Sequence, residues 1–144
     1  MHRRSSEDKE WQKTKEAVDK RDHRECRWKA ILTASEVAKL KLLCPMPSML
    51  QQIDHAHVLP VGNYVTLTYD IDNVYCLCRW AHNHIDNLIN PLTNLSMTQN
   101  EQWYWWWRIR YKKTDEYDST KNYEELYNKY IDISKEKKSI MEWW

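Results

Sequence analysis

The chain has 144 residues, with 22 Lys and Arg against 21 Asp and Glu, nine Trp, nine Tyr, no Phe and one glycine. That length fits one domain able to bury a core without disulfides, and no stretch nears the roughly 20 apolar residues that span a bilayer. A single glycine excludes the Gly-rich phosphate loops of P-loop and Rossmann proteins.

The opening Met1-His2-Arg3-Arg4-Ser5-Ser6-Glu7-Asp8 lacks the apolar core of a signal peptide, so a soluble intracellular protein is expected. Its four cysteines then read as thiols or metal ligands. Net charge is +1, but it is unevenly spread. Residues 1–50 hold 12 basic and 8 acidic side chains, residues 51–100 hold Arg79 against Asp54, Asp70, Asp72 and Asp86, and residues 101–144 hold nine of each. The division expected is one domain over 1–144: a basic helical arm (1–50), a central core (51–91) and aromatic-rich helices (92–144).

Residues 6–31 are rich in helix formers, and Ser5 with Asp8 makes a capping box. Trp11, Val18, Trp28 and Ile31 give a weak stripe, so an exposed helix is expected, or two with a break near Arg24. Ser35 caps a second helix through Leu43, ended by Cys44-Pro45-Met46-Pro47. Ile53 to Leu59 reads as a strand and Pro60 to Asn63 as a turn. Tyr64 to Tyr69 is β-branched and aromatic, hence extended, and Ile71 to Leu77 continues it after a bend. Arg79 to Asn90 reads as a helix stopped by Pro91.

Thr98 and Glu101 form a capping box opening a helix through about Lys113. Trp103, Trp106, Trp107 and Arg110 share one of its faces and should be buried. Trp105 and Arg108 lie off that face and are candidate DNA contacts. A last helix from about Lys121 carries Tyr123, Leu126, Tyr127, Tyr130 and Ile131 at core-facing spacing.

The chemistry concentrates between residues 54 and 86, which hold four of the six histidines. His82 and Asp86 are i, i+4 on the predicted helix and could share a cation. Asp54 could join them from the strand. His55 and His57 share a strand face, with Asp54 on the other unless the strand bends. Histidine suits a general base, and Asn73 could hydrogen-bond across the loop and hold the base-bearing segment.

Two motifs carry a resemblance over about a quarter of the chain. His57-Val58-Leu59-Pro60 is similar to the tail of the His-His-Ile-x-Pro motif of HNH, or His-metal finger, nucleases, with Ala56 where a metal-binding residue would precede. Asp54-x-x-His57 is similar to the Asp-Ala-Gly-His form of phage-type members. Asp72-Asn73-Val74-Tyr75-x-Leu77-Cys78-Arg79-x-x-His82-Asn83 resembles the family's Asp-Asn-Leu-x-x-Leu-Cys-x-x-Cys-His-Asn, with Asp86 where a second histidine often stands.

The resemblance implies an α+β fold with a small ββα-metal core, a short antiparallel hairpin and one helix, flanked by N- and C-terminal helices. It implies a metal-dependent DNA endonuclease hydrolysing phosphodiesters, with His57 as general base or His55 in a rival register. Asn73 would be the positioning residue, and Asp54, His82 and Asp86 would hold one divalent ion, Mg²⁺ or Mn²⁺. Arg79, His84, Arg108, Arg110, Lys112 and Lys113 are the candidate DNA contacts. Small members of the family are common in phages, which points to the bacterial cytoplasm and to no membrane partner.

Two other readings stay open. One is a catalytically decayed HNH scaffold that binds DNA or protein, suggested by Ala56, Ala81 and halved Cys-x-x-Cys pairs. The other is a structural zinc module of Cys26, Cys44, Cys76 and Cys78, disfavoured because no Cys-x-x-Cys is present.

Overall fold

The computed structural model describes residues 5–43, 52–58 and 69–130, with the side chains of 5–8 and 130 left out. The Ser5–Asp8 capping box, Cys44 and its prolines, the turn around Gly62, the strand over 64–68 and Ile131 lie outside the described residues. Within them the protein is α+β: N-terminal helices, a two-stranded antiparallel hairpin followed directly by a helix, then C-terminal helices.

Helix α1 (Ser5–Asp22) ends where the sequence loses its stripe. His23 and Arg24 both take positive φ, 57° and 54°, an uncommon conformation for residues with a Cβ. The reversal is held by Asp22, whose side chain is 1% exposed. Its carboxylate accepts from Arg21 at 2.8 and 2.9 Å, from Arg27 at 3.1 Å and from the Cys76 main-chain N–H at 3.0 Å. A one-turn helix, α2 (Arg27–Ala30), follows.

Helix α3 (Ala34–Leu43) is capped by Thr33 rather than Ser35. Thr33 Oγ1 accepts from Glu36 N at 3.3 Å, and Thr33 N donates to Glu36 Oε1 at 3.0 Å. This reciprocal box needs an acid three residues after the cap, and only Thr33 has one in place.

Strand β1 (Ile53–His57) pairs with β2 (Val74–Cys78) in a register setting Asp54 opposite Leu77 and His57 opposite Val74. A 3-10 turn, Ile71–Asn73, leads into β2 and is capped by the Asp70 carboxylate on Asp72 N. Helix α4 (Arg79–Asp86) starts where β2 ends. It stops before the expected Asn90, because Leu88 turns to φ 57° and Ile89 N bonds His84 O at 2.8 Å.

Helix α5 (Gln99–Tyr111) has the expected Thr98–Glu101 box and ends on Lys112 in the left-handed region. One apolar face was expected; instead Tyr104 through Ile109 are all buried. Trp28 packs edge-on against Trp105 from the N-terminal side. Tyr117, Tyr123 and Tyr127 cover the other side, the last two from the short helix α6 (Tyr123–Tyr127). Arg27 spans α2 to the end of α5, donating to Ile109 O and Arg110 O at 2.6 and 2.7 Å. The hairpin is thus clamped between α1 on one face and α4 on the other, and α5 packs against α2 and α4.

Candidate active site and metal-ligand cluster

Strand alternation divides the chemistry of β1 between two faces. Ala56 points into the core that holds Ala81 and Ile85 of α4. Asp54, two residues earlier, reaches the same helix: its Oδ2 lies 3.0 Å from His82 Nδ1. His82 Nε2 lies 3.0 Å from Asp86 Oδ2, the i, i+4 contact expected from the sequence. Arg79 closes the outer side, with Nη2 and Nε at 3.0 and 3.3 Å from Asp54. Asp54, His82, Asp86 and Arg79 are therefore neighbours, but the two acids sit on opposite nitrogens of the ring, so Asp54, His82 and Asp86 do not converge on one point as the expected single-ion site requires.

Charge within this group is mutually supporting. The hydrogen bond to Asp86 raises the His82 pKa; burial opposes it, and Asp54 adds to the rise. Burial pushes the Asp54 carboxyl upward, but the hydrogen bonds from Arg79 and His82 outweigh it and hold it below the usual carboxylate range. The two acids bracket the ring from its two nitrogens.

His55 and His57 face α1 instead, since β1 does not bend at Asp54. His55 Nε2 lies 2.7 Å from Asp19 Oδ1, and Cys76 Sγ lies 3.5 Å from the same oxygen. Ligand atoms of Asp19, His55 and Cys76 all fall within 4.8 Å of one another, a set that could hold a metal ion. Burial pushes the Cys76 thiol up to about 12, reinforced by the charges of Asp22 and Asp19. Burial also works to raise Asp19, but the hydrogen bonds from His55 and Cys76 hold it low.

His57 stacks on Trp11, ring centroids 4.9 Å apart. As the last residue of β1 it also reaches a second feature. A cavity of about 550 Å³ is lined by His57 and Val58 together with Asp86, Gln102 and Trp103. Four helical residues from His82 to Asp86 advance about 6 Å along the hairpin, which carries the acid from Asp54 toward the His57 end. Asn73 is 3% exposed, and its main-chain carbonyl accepts from Val58 N at 3.0 Å, anchoring the segment that bears His57.

The candidate DNA contacts divide. Lys112 and Lys113 are exposed, and Arg79 is half-exposed beside Asp54. Arg110 is half-buried, donating to Asp72 O at 2.7 Å and lying over the Tyr111 and Tyr127 rings. His84 is committed to the α4–α5 connection: it stacks on Trp80 at 4.2 Å, with ring nitrogens 2.7 Å from Trp80 O and 2.6 Å from Asn94 Oδ1. Arg108 and Trp105 are corrections to the sequence reading. Arg108 is 0% exposed and Trp105 2%, so neither can touch DNA in this fold. The guanidinium donates to Glu36 at 2.7 and 2.8 Å, to Ile31 O at 3.0 Å and to Lys113 O at 2.9 Å.

Of the four cysteines of the zinc alternative, Cys44 lies outside the described residues, and the other three are free thiols. Cys26 and Cys78 engage each other through their thiols, lowering the Cys26 pKa, whereas Cys76 turns to Asp19. Sequence reasoning missed Asp19, Trp11's contact with His57, and Glu36. The available signal was on α1: Asp19 and Asp22 fall at i+8 and i+11 from Trp11, on the stripe shared with Val18. Acids on an apolar stripe mark side chains that turn inward to partners.

Compared with models of known protein families, with curated proteins and with solved structures, the chain matches none. Among the described residues no helix is long and apolar enough to cross a membrane.

Proposed function

We propose that the chain is a small HNH-type endonuclease of the phage kind, hydrolysing DNA phosphodiesters with one divalent metal ion and leaving a 5′-phosphate. One observation carries the reading. A hairpin followed at once by a helix sets Asp54 and Asp86 on His82, while His57 and Asp86 line one cavity. A carboxylate and an imidazole suit a hard or borderline ion such as Mg²⁺ or Mn²⁺, and Asp86 is 47% exposed, so an ion can approach on the Nε2 side of His82. His82 Nε2 and Asp86 would hold it, with Asp54 orienting the ring from Nδ1. When bound, it supplies Lewis-acid stabilisation of charge on the phosphoryl and leaving oxygens.

The chain's own groups do the rest. His57 takes the proton from the attacking water, a role for which imidazole basicity near neutrality is suited. The Asn73 main-chain carbonyl, accepting from Val58 N, holds the end of β1 in place and so fixes where that base sits. Lys112, Lys113 and Arg79 supply positive charge for the DNA backbone.

The test is cleavage of supercoiled plasmid with added Mg²⁺ or Mn²⁺ and with EDTA. Cleavage is expected with metal, to be lost with EDTA and to fall roughly 10²–10⁴-fold in His57→Ala. An active His57→Ala beside a dead His55→Ala would move the base to His55, beside Asp19.

A second reading draws on two further observations. Both His82 nitrogens are already paired with carboxylates, and the buried Ala56 stands where the family motif has a ligand. They favour a decayed scaffold that binds DNA or protein. Plasmid retained but uncut under every metal would support it.

A further inference from the structure

On the opposite face of the hairpin from the proposed nuclease site, three ligand types converge from three elements. Asp19 comes from the last turns of α1, His55 from the middle of β1 and Cys76 from its register partner on β2. A tetrahedral zinc ion with bonds of about 2.0–2.3 Å holds its ligand atoms roughly 3.3–3.8 Å apart. Asp19 Oδ1 and Cys76 Sγ already stand 3.5 Å apart. Asp19 Oδ1 and His55 Nε2, now 2.7 Å apart, exchange a hydrogen bond for two metal bonds, with the imidazole proton kept on Nδ1 and the Cys76 thiol proton released to solvent.

We propose that Asp19, His55 and Cys76 form a binding site for a zinc-class divalent ion that clips α1 onto the hairpin. The reading is separate from the nuclease site, with which it shares no ligand. The donor set selects the ion. A thiolate beside an imidazole and one carboxylate suits Zn²⁺ or Co²⁺ and rejects Mg²⁺ and Ca²⁺, which demand oxygen. Cys76 is 0% exposed, while the side chains of His55 and Asp19 are 23% and 20% exposed. The fourth position therefore opens toward solvent, giving three protein ligands and room for water.

The surroundings hold the ligands in place. Trp11 meets the His55 ring edge-on at 6.3 Å, and the main-chain N–H of Cys76 is pinned by Asp22 at 3.0 Å. Such outer contacts orient metal ligands. α1 meets the hairpin through a small apolar cluster of Val18, Val74 and Cys76 with Trp11 and Ile53 and through the Asp22 and Arg21 hydrogen bonds to β2, and an ion here adds a further tie.

The experiment is a Co²⁺ titration of the whole chain under a phosphine reductant. One equivalent should bind with thiolate-to-cobalt charge-transfer absorption in the near ultraviolet. Zn²⁺ should remove the band and raise the melting temperature; Mg²⁺ should do neither. Cys76→Ser should abolish the band although Cys26 and Cys78 remain. Asp19→Asn should keep the band but bind at least roughly 10-fold more weakly, since even outer-shell losses cost 10–100-fold. No band in the unaltered chain, or a band surviving in folded Cys76→Ser, overturns the site. Should Cys76→Ser not fold, unchanged Co²⁺ affinity in Asp19→Asn overturns it instead. A cleavage result of either sign leaves this outcome untouched.

Discussion

Arg108→Met separates a buried strut from a DNA contact. The guanidinium is fully buried and makes two short bonds to Glu36, and it also donates to the Ile31 and Lys113 carbonyls. Methionine keeps the unbranched apolar stem, ends two atoms short of the guanidinium tips and removes every donor. Removing one partner of a buried ion pair costs about 3–5 kcal/mol, and each carbonyl left unpaired adds roughly 1–3 kcal/mol. Glu36 moderates this, because its side chain is 17% exposed and keeps its bond from Thr33 N, so it can turn toward water. The net loss expected is about 3–5 kcal/mol, against roughly 5–15 kcal/mol for a whole domain.

Urea unfolding followed by tryptophan fluorescence would show the midpoint falling with little change in slope. A pH arm adds an independent check. Burial pushes the Glu36 carboxyl up, but the hydrogen bonds from Arg108 and Thr33 outweigh it, so its folded pKa lies below the ordinary 4.5. A depressed carboxylate contributes stability that is fully present above the unfolded value and is lost as pH falls through the folded one. Acid destabilisation below about pH 4.5 should therefore be shallower in Glu36→Gln than in the unaltered chain. An Arg108→Met protein with an unchanged midpoint and weakened DNA retention would refute the buried strut.

Three further outcomes are expected. Asp54→Ala and His82→Ala should each weaken divalent-metal binding, with cleavage partly restored by excess Mn²⁺; unchanged isothermal titrations in both would remove the α4 site. Trp106→Ala should lower stability by about 3–5 kcal/mol, because Trp106 is 3% exposed; a thermal melt like that of the unaltered chain would contradict its place in the core. Replacing Lys112 and Lys113 with Gln should leave the melt unchanged and flatten the salt dependence of DNA binding by about one unit of slope per lost phosphate contact, which filter retention at several salt concentrations would read.

The parts legible in the sequence were those set by local rules. The Thr98–Glu101 box opens α5 as written, the break after α1 falls beside Arg24, and the His82–Asp86 spacing alone placed that pair in contact. The division of β1 into a His55/His57 face and an Asp54 face also follows from period-two alternation. What failed was set by distant partners. Nothing near Arg108 announces Glu36, 72 residues earlier, whose carboxylate draws the guanidinium inward. The stripe on α5 was read against one neighbour, whereas Trp28 on one side and Tyr117, Tyr123 and Tyr127 on the other enclose the helix. His84 pairs locally, but with a loop whose course depends on the left-handed turns at Leu88 and Asn94.

The alternation of β1 has a consequence for any chemistry assigned to this strand. Two acid–histidine pairs lie back to back across a single backbone: Asp54 with His82 on the α4 side, and His55 with Asp19 on the α1 side. A one-residue slip of β1 would exchange their faces, sending His55 toward α4 and Asp54 toward α1. Ala56 opposes that slip. It is fully buried against α4, and a slip would drive His55 or His57 into the apolar space it fills beside Ala81 and Ile85, burying an imidazole without a partner. The small residue at the position where related motifs carry a ligand therefore has a packing role of its own. It locks the register that keeps Asp54 beside His82 on one face and His55 beside Asp19 and Cys76 on the other. The only group of the proposed nuclease machinery left to join the two is His57, at the strand end, where alternation no longer decides what a side chain can reach.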